Sequence, residues 1–440
     1  MNKISYEMKL FCKEGFAFRI WSLMLVLVLA FGTFSCGPGR KGRASASDTL
    51  ELLREPYLQA VFSDSASVLW KTNAKAETCK VLFGLDTATM TEVDGIVEPQ
   101  EYNTLNYATL KGLERGKRYY YKIITNGKVL ASGEDYYFKT EPADSIADFS
   151  FYAMGDIGEP ADEGGFPAVT ANRINILERR PDFGIGLGDI VYPDGESHGY
   201  DEHFFKPLAP IMKNIPFYPA LGNHDWHVNP DRNFTKEWQL PGNEHYYSFD
   251  YGNAHFIALD SREGEFFDRD NQVAWLKNDL AEAKGKYDWV FVYLHHNGRT
   301  CTYKDDYPHV IKLYEVFATQ GVDFVLNGHA HTYERLKPYG ADGKVLADYA
   351  GLEILPEIKE GFVSITTGAG GKLKSVKKWS PDPENCDEGD IVAKAAHEGH
   401  FTVFEIKGKS LRMKAISSST GEVLDSLRME KLTSITMNSN

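Results

Sequence analysis

The chain has 440 residues, 42% hydrophobic and 13% aromatic. That is enough apolar material for a sizeable core and two or three domains, and it excludes a disordered or fibrous protein. A formal net charge of -14 excludes the basic footprint that drives non-specific nucleic-acid binding, and the carboxylate excess reads as a solvated surface.

At the N-terminus Lys3, Lys9, Lys13 and Arg19 precede the apolar run IWSLMLVLVLAFG. This pattern predicts an export signal, since the run is short for a spanning helix of about 20 residues. The block TFSC, ending at Cys36, resembles a bacterial lipoprotein processing site. That resemblance implies acylation of Cys36 and attachment of an exported chain to a membrane; an ordinary cleaved signal or an uncleaved anchor is the alternative. Residues 1–36 are thus expected to be a signal segment, and residues 37–51, which are small, basic and polar, a tether. Beyond Cys12 and Cys36 the cysteines are Cys79, Cys301 and Cys386, with no C-x-x-C spacing, so no zinc ribbon or redox pair is encoded. Cys301 and Cys386 can pair in an exported compartment, leaving Cys79 as a small buried apolar residue.

Between residues 52 and 141 short alternating runs such as SASVLWKT, TCKVLFG and RYYYKIIT are broken by turn residues. They predict a small antiparallel sandwich, with KTEPADS as a linker. From residue 147 to residue 432 the pattern changes to strand-like runs alternating with amphipathic segments. DFSFYAM, DFGIGL, PFYPAL, WVFVYL and VDFVL read as strands. AVTANRINILERR, DNQVAWLKNDLAEAK and VIKLYEVFATQ read as helices, and HYYSFDYGNAHFIALD as a hairpin. The late runs EGFVSITTG, HFTVFEI, SLRMKAIS and VLDSLRME close the same α/β domain.

Five of these strands end in the same kind of polar residue. They run into Gly155-Asp156-Ile157-Gly158, Gly188-Asp189-Ile190-Val191-Tyr192, Gly222-Asn223-His224-Asp225, His295-His296 and Asn327-Gly328-His329-Ala330-His331. Taken singly, an Asp after a strand is a turn former or helix cap, Tyr192 a core aromatic and each histidine a packed or surface side chain. Taken together they point to one region, because ligands of open α/β sheets bind at the carboxyl ends of strands. Carboxylates, an amide carbonyl and imidazoles suit hard or borderline cations, and one Asp can bridge two ions of the kind that hydrolyse phosphate esters. The His-x-His spacing can serve neighbouring ions or different faces of one ion.

In this order and spacing, GDIG, GDIVY, GNHD, VYLH and GHAHTYER resemble the five blocks of the purple acid phosphatases, within the calcineurin-like metallophosphoesterases. REPYLQAVFSDSASVLWKT with RYYYKI is similar to the fibronectin-III-like domain that precedes catalysis in that family. The resemblance implies an α/β fold, a mixed β-sandwich flanked by helices, metallophosphoesterase-like, preceded by a small all-β fibronectin-III-like sandwich. It implies that Asp156, Asp189, Tyr192 and His331 hold a first ion, Fe(III) given the tyrosine. Asn223, His295, His329 and the shared Asp189 would hold a second, Fe, Zn or Mn.

The activity so implied is hydrolysis of small phosphate monoesters by a metal-bound hydroxide, with imidazole protonating the leaving group. His224 matches the substrate-contacting histidine of the family, with Asp225 either orienting it or capping a helix. His296, with Asn297 and Arg299 in the same HHNGRTC loop, is the second candidate for phosphate contact. Glu334 and Arg335 read as a structural anchor and TTGAGG as a weak candidate phosphate loop. The segments GEPADEGGFP and DGESHGYDEHFF would rim the pocket. Alternatives are a phosphodiesterase or nucleotide pyrophosphatase on the same metals, or a non-catalytic surface adhesion or binding lipoprotein. The oligomeric state is not readable from the sequence.

Overall fold

The computed structural model describes residues 49–143, 148–227, 233–262, 269–349, 352–374 and 391–431. The signal segment, Cys36 and Cys386 lie outside the described residues. No helix among the described residues is long and apolar enough to cross a membrane.

The first nine strands are β1 (Leu52–Gln59), β2 (Ser65–Asn73), β3 (Cys79–Gly84), β4 (Thr91–Asp94), β5 (Ile96–Pro99), β6 (Asn103–Lys111), β7 (Arg118–Thr125), β8 (Lys128–Ala131) and β9 (Tyr137–Lys139). They form two antiparallel sheets, ordered β1-β2-β6-β5 and β4-β3-β7-β8, with β9 also on β7. Alternate residues point inward, so Val68, Trp70 and Leu110 from one sheet share a core with Val81, Tyr121 and Ile123 from the other. Cys79 is buried there as a free thiol. Cys301 is disulfide-bonded.

The remaining strands are β10 (Asp148–Met154), β11 (Phe183–Leu187), β12 (Phe217–Ala220), β13 (Tyr247–Tyr251), β14 (Ala254–Ala258), β15 (Trp289–Tyr293), β16 (Phe324–Asn327), β17 (Tyr333–Leu336), β18 (Tyr339–Gly340), β19 (Ile354–Pro356), β20 (Gly361–Thr367), β21 (Val392–Ala396), β22 (His400–Lys407), β23 (Ser410–Ser417) and β24 (Val423–Glu430). One mixed sheet runs β12-β11-β10-β22-β23-β24-β19 and the other β13-β14-β15-β16-β20-β17-β21. Within each, the strands that lead to the site are parallel, β10 with β11 and β12, β15 with β16. β22 pairs antiparallel with β10, which places a strand from late in the chain in the centre of the first sheet.

The two sheets face each other across an aromatic core. Phe151 stacks on Phe404 with ring centroids 4.7 Å apart, and Phe256 stacks on Phe291 at 5.0 Å. Phe151 meets both Phe256 and Phe291 edge-on at 5.1 Å. Each buried Phe contributes about 1.5–3 kcal/mol of transfer free energy, and the ring geometries add to that. The period-2 rule is visible in β15, where Trp289, Phe291 and Tyr293 enter this core. Val290 and Val292 face outward to an apolar layer completed by Leu276, Leu280, Val310 and Phe317 on helices.

Helices were less legible than strands. VIKLYEVFATQ, expected as one helix, is two short ones, Pro308–Ile311 and Tyr314–Gln320. DGESHGYDEHFF, expected as a pocket-rimming loop, is helical from Ser197, with a π turn over Tyr200–Phe205 leading into Lys206–Met212. Asp194 pairs with His227 beside the site, while from Ser197 onward the segment faces the N-terminal sandwich instead. Arg54 pairs with Asp201 and, at 2.6 Å, with Glu237, while Lys71 reaches Glu237 at 2.9 Å. Ser197 donates to the same Glu237 carboxylate at 3.0 Å. All these charges are buried except that of Asp201, and each is paired, the condition under which buried ions are tolerated.

His255 on β14 ties the second sheet to its covering helix. Its ring nitrogens lie 2.6 Å from Asp250 and 2.8 Å from Asp279 on the helix Arg269–Ala283. Burial lowers its pKa, but the two carboxylates outweigh burial and raise it to about 9. The folded value exceeds the unfolded one, so the stabilisation is present in full below the unfolded pKa of about 6.5 and is lost as pH rises through 9. His255→Gln is expected to lower unfolding free energy by about 2 kcal/mol at pH 6, with the difference from the parent shrinking towards pH 10. Urea titrations at several pH values measure this, and a pH-independent difference would contradict it.

Candidate metal centre

The five strand ends meet. β10, β11 and β12 from one sheet and β15 and β16 from the other deliver Asp156, Asp189, Asn223, His295 and His329 to one edge of the sandwich, and His331 and Tyr192 join them. Three of these residues, Asp156, Asp189 and His329, sit in the left-handed region at φ 55°, 48° and 67°. Such conformations cost roughly 1–3 kcal/mol each and concentrate at functional sites. Here they are locked by cross-loop hydrogen bonds. The Asp156 N–H donates to the Gly188 carbonyl at 3.1 Å, the His329 N–H to Asp156 Oδ2 at 2.8 Å and the His224 N–H to Asp189 Oδ1 at 2.8 Å.

The glycines preceding these residues are spacers for close approach. A Cβ on Gly222 would lie 2.1 Å from the Asp189 nitrogen, and one on Gly328 would lie 2.7 Å from Asp156 Oδ2. Only a hydrogen fits at either position.

Around the first half of the site, the Tyr192 hydroxyl donates towards Asp156 Oδ1 at 2.8 Å and Asp189 Oδ2 at 2.9 Å and lies 3.3 Å from His331 Nε2. His331 Nε2 is 3.2 Å from Asp156 Oδ1. Around the second half, His295 Nε2 is 3.3 Å from Asp189 Oδ2, 3.1 Å from Asn223 Oδ1 and 3.2 Å from His329 Nδ1. Asp189 belongs to both halves. All seven residues are therefore brought together, although Asn223 lies at the cavity rim rather than fully inside.

The donor chemistry of this cluster fits cations. His295 Nδ1 lies 2.8 Å from the Leu187 carbonyl, so it carries the proton and donates it. In the neutral ring Nε2 is then a lone pair, aimed at a carboxylate oxygen, an amide oxygen and another imidazole nitrogen. Lone pairs so packed repel unless a positive charge lies among them. Without an ion, that charge must come from a second proton: burial lowers the His295 pKa, but Asp189 and Asp156 overcome this and push it to about 9. Burial together with His295 and Lys304 lowers His329 to about 3. For Tyr192, burial and then the two carboxylates raise the phenol well above its usual range. The oxygen gives up its proton only to a strongly charged partner.

His224 lies on the cavity wall, partly exposed. Its Nδ1 faces the Pro193 carbonyl, and its Nε2 lies 4.0 Å from Asp189 Oδ2. Asp225 does not contact that ring. Its Oδ1 accepts the N–H groups of Ile190 at 2.8 Å and Val191 at 3.2 Å, and its Oδ2 accepts that of Gly222 at 2.8 Å. It is a clamp between the loops that carry Asp189 and Asn223. Burial, then the charge of Asp189, raises its carboxyl to about 7.

His296 is buried, with Nδ1 3.0 Å from the Ser261 hydroxyl and its ring 4.6 Å from that of His329. Burial holds it well below the usual imidazole range, as a neutral ring. It stands behind His295 and His329 rather than on the cavity wall. Asn297 donates to the Asp305 carbonyl and Arg299 pairs with Asp306 at 3.1 Å, so both serve their own loop. Arg335 pairs with Asp425 at 2.7 Å, and Glu334 accepts the Thr300 hydroxyl and the Cys301 N–H, consistent with anchoring. The Gly-rich TTGAGG segment spends its N–H groups on protein. Gly370 donates to Gly155 and Gly371 to Asp156, leaving no phosphate cradle.

The cavity in front of the cluster has a volume of about 420 Å³. Sequence reasoning anticipated Glu159 on its rim, through GEPADEGGFP, but missed Lys304, Lys372 and Lys374. Lys372 and Lys374 directly follow TTGAGG, which was their only available signal. Lys304 had none, since its loop lacks periodicity.

Residues 149–333 match the model of the family described as calcineurin-like phosphoesterase. Purple acid phosphatase 18 of Arabidopsis thaliana is 26% identical over 343 residues, covering 72% of this chain and 70% of that protein. Probable inactive purple acid phosphatase 9 of the same plant is 26% identical, covering 52% and 42% respectively, so this chain spans less than half of that relative. The structure of purple acid phosphatase PPD1 from yellow lupin seeds superposes with a TM-score of 0.71 at 18% identity, covering 86% of this chain and 74% of that one, which shows a shared fold.

Asp225→Asn puts an amide N–H against a backbone N–H on at least one side. It is expected to cost about 1–3 kcal/mol of stability and to lower metal content, and Asp225→Ala to cost more. Urea unfolding and elemental analysis of the purified variants measure both; unchanged values would refute the clamp. Residues 149–333 form a calcineurin-like phosphoesterase domain, and in its ordered blocks and fold the chain is similar to purple acid phosphatases.

Proposed function

We propose that the chain is an exported phosphohydrolase that cleaves small phosphate monoesters at a dinuclear metal centre. Asp156, Asp189, Tyr192 and His331 would hold one ion and Asn223, His295, His329 and the shared Asp189 the other. The observation that carries this reading is His295: its proton is committed to the Leu187 carbonyl, and its lone pair is aimed into a cluster of other lone pairs. Tyr192 favours Fe(III) at the first position, because a phenol held against two carboxylates ionises most readily for a highly charged cation. The second position takes Fe, Zn or Mn.

When bound, such ions supply Lewis acidity towards phosphoryl oxygens and lower the pKa of water. The chain's own residues do the rest. His224 donates Nδ1–H to the Pro193 carbonyl, which orients Nε2 towards the cavity, where it can hold a proton for a phosphoryl or leaving-group oxygen. Asp225 fixes the spacing of the loops carrying Asp189 and Asn223. His296, kept neutral and bonded to Ser261, acts as a support for His295 and His329 rather than as the leaving-group acid.

Residues 52–141 are read as a fibronectin-III-like domain and 147–432 as the catalytic domain, a reading supported by the separate core of the nine N-terminal strands. Export and lipidation at Cys36 rest on the basic and apolar N-terminal sequence.

The purified full chain is expected to contain two metal ions and to hydrolyse p-nitrophenyl phosphate in preference to bis(p-nitrophenyl) phosphate between pH 4 and 8. His295→Ala should lose one ion and activity on the order of a hundredfold or more. Tyr192→Phe should keep its fold and lose visible absorption, and an unchanged spectrum would overturn Fe(III)-phenolate coordination. A preference for the diester would favour the phosphodiesterase reading. A fully metal-loaded protein without activity on either compound would favour a binding protein.

A further inference from the structure

We propose that the natural substrate carries a second anionic group besides the scissile phosphate, and that Lys304 and Lys374, gathered around Tyr303, bind it. This deepens the phosphohydrolase reading and rests on it. The chain is strongly acidic as a whole, yet three lysines line the mouth of this one cavity. Lys372 is already committed: its Nζ is 2.8 Å from Glu159 and 3.5 Å from the centre of the Tyr192 ring. The other two differ. Lys304 and Lys374 have no carboxylate partner among the described residues, and their ammonium groups lie 5.8 Å and 5.0 Å from the centre of the Tyr303 ring.

Tyr303 connects this pair to the metal centre. Its hydroxyl accepts the backbone N–H of His331 at 3.0 Å, so the two ammonium groups stand about one aromatic ring away from a proposed metal ligand. Lys304 is half-buried with no ion pair among the described residues, only the more distant charges of Asp156 and Asp189 offset its burial, and an ammonium so withdrawn from water gains from a ligand that supplies an anion. The cavity volume of about 420 Å³ lies in the range of small-molecule sites and exceeds what one phosphate group fills. A local reversal of sign on an acidic protein also steers polyanions to the opening. The chemical class that fits is a small phosphate ester bearing another phosphate or a carboxylate.

The test compares fructose 1,6-bisphosphate with fructose 6-phosphate, and 3-phosphoglycerate with glycerol 3-phosphate, on the metal-loaded full chain. The first pair reads a second phosphate and the second pair a carboxylate. A preference of roughly tenfold in kcat/KM, expressed in KM, is expected for at least one of the doubly anionic partners. The Lys304→Gln/Lys374→Gln variant should reduce it to about twofold, the statistical factor for two phosphates, or to parity for the carboxylate pair. Lys374 is exposed, so Lys374→Gln alone tests the idea without threatening the fold and should lower the preference about threefold. Lys206→Gln, on a remote helix, should leave the ratio as it is. A parent enzyme without preference, or a double variant that keeps it, overturns the proposal. If none of these esters nor p-nitrophenyl phosphate is hydrolysed, the hydrolase reading fails on its own. The lysine pair is then read from thermal shifts by tripolyphosphate against orthophosphate, and equal shifts in parent and double variant refute it.

Discussion

Asp189 is the residue on which the site depends. Its Oδ2 receives the Tyr192 hydroxyl and faces His295 Nε2, and its Oδ1 receives the backbone N–H of His224. It therefore joins the half of the site built on Asp156, Tyr192 and His331 to the half built on Asn223, His295 and His329. A buried carboxylate in that position is stable only among positive charges, and the seven side chains offer room for cations in place of protons. The left-handed backbone at Asp156, Asp189 and His329 is the conformational cost of aiming these groups inward.

The scaffold explains how that cost is met. Parallel strands in each sheet end on the same side, and the two sheets are held together by phenylalanines that stack within each sheet and meet edge-on across the core. A shift of one strand by a residue would turn its inner aromatic outward and break the core. Side chains from sequence positions far apart are thus held at the ends of paired, core-packed strands. The loops then brace each other through Asp225 and through direct backbone bonds, as a binding constellation requires. The N-terminal sandwich adds a buttress through the buried Arg54, Lys71 and Glu237 group, which fixes the helical segment following Tyr192.

Legibility differed by element type for physical reasons. Strands were readable because β-branched and aromatic runs bounded by glycine leave few other conformations. The segment 194–205 was not, because its short polar residues resemble a loop until Arg54 from a distant strand neutralises Asp201. Asp225 was ambiguous from sequence, since a residue after Asn-His can cap a helix or orient a ring. Only the folded chain shows its carboxylate receiving N–H groups from Ile190, Val191 and Gly222. His296 shows the converse problem. Adjacent to His295, it looks equally able to meet substrate, yet alternation along the chain sends it behind the site towards Ser261.

By itself the amino-acid order determined which residues are chemically able to hold cations, because ligand type, preceding glycine and strand end are all local features. It also determined the two kinds of β architecture, through the period of apolar residues. The tertiary structure alone decided which histidine faces the cavity, what Asp225 holds and which lysines meet at the cavity mouth. Distances between residues more than a hundred positions apart follow from sheet packing, and no local pattern encodes them.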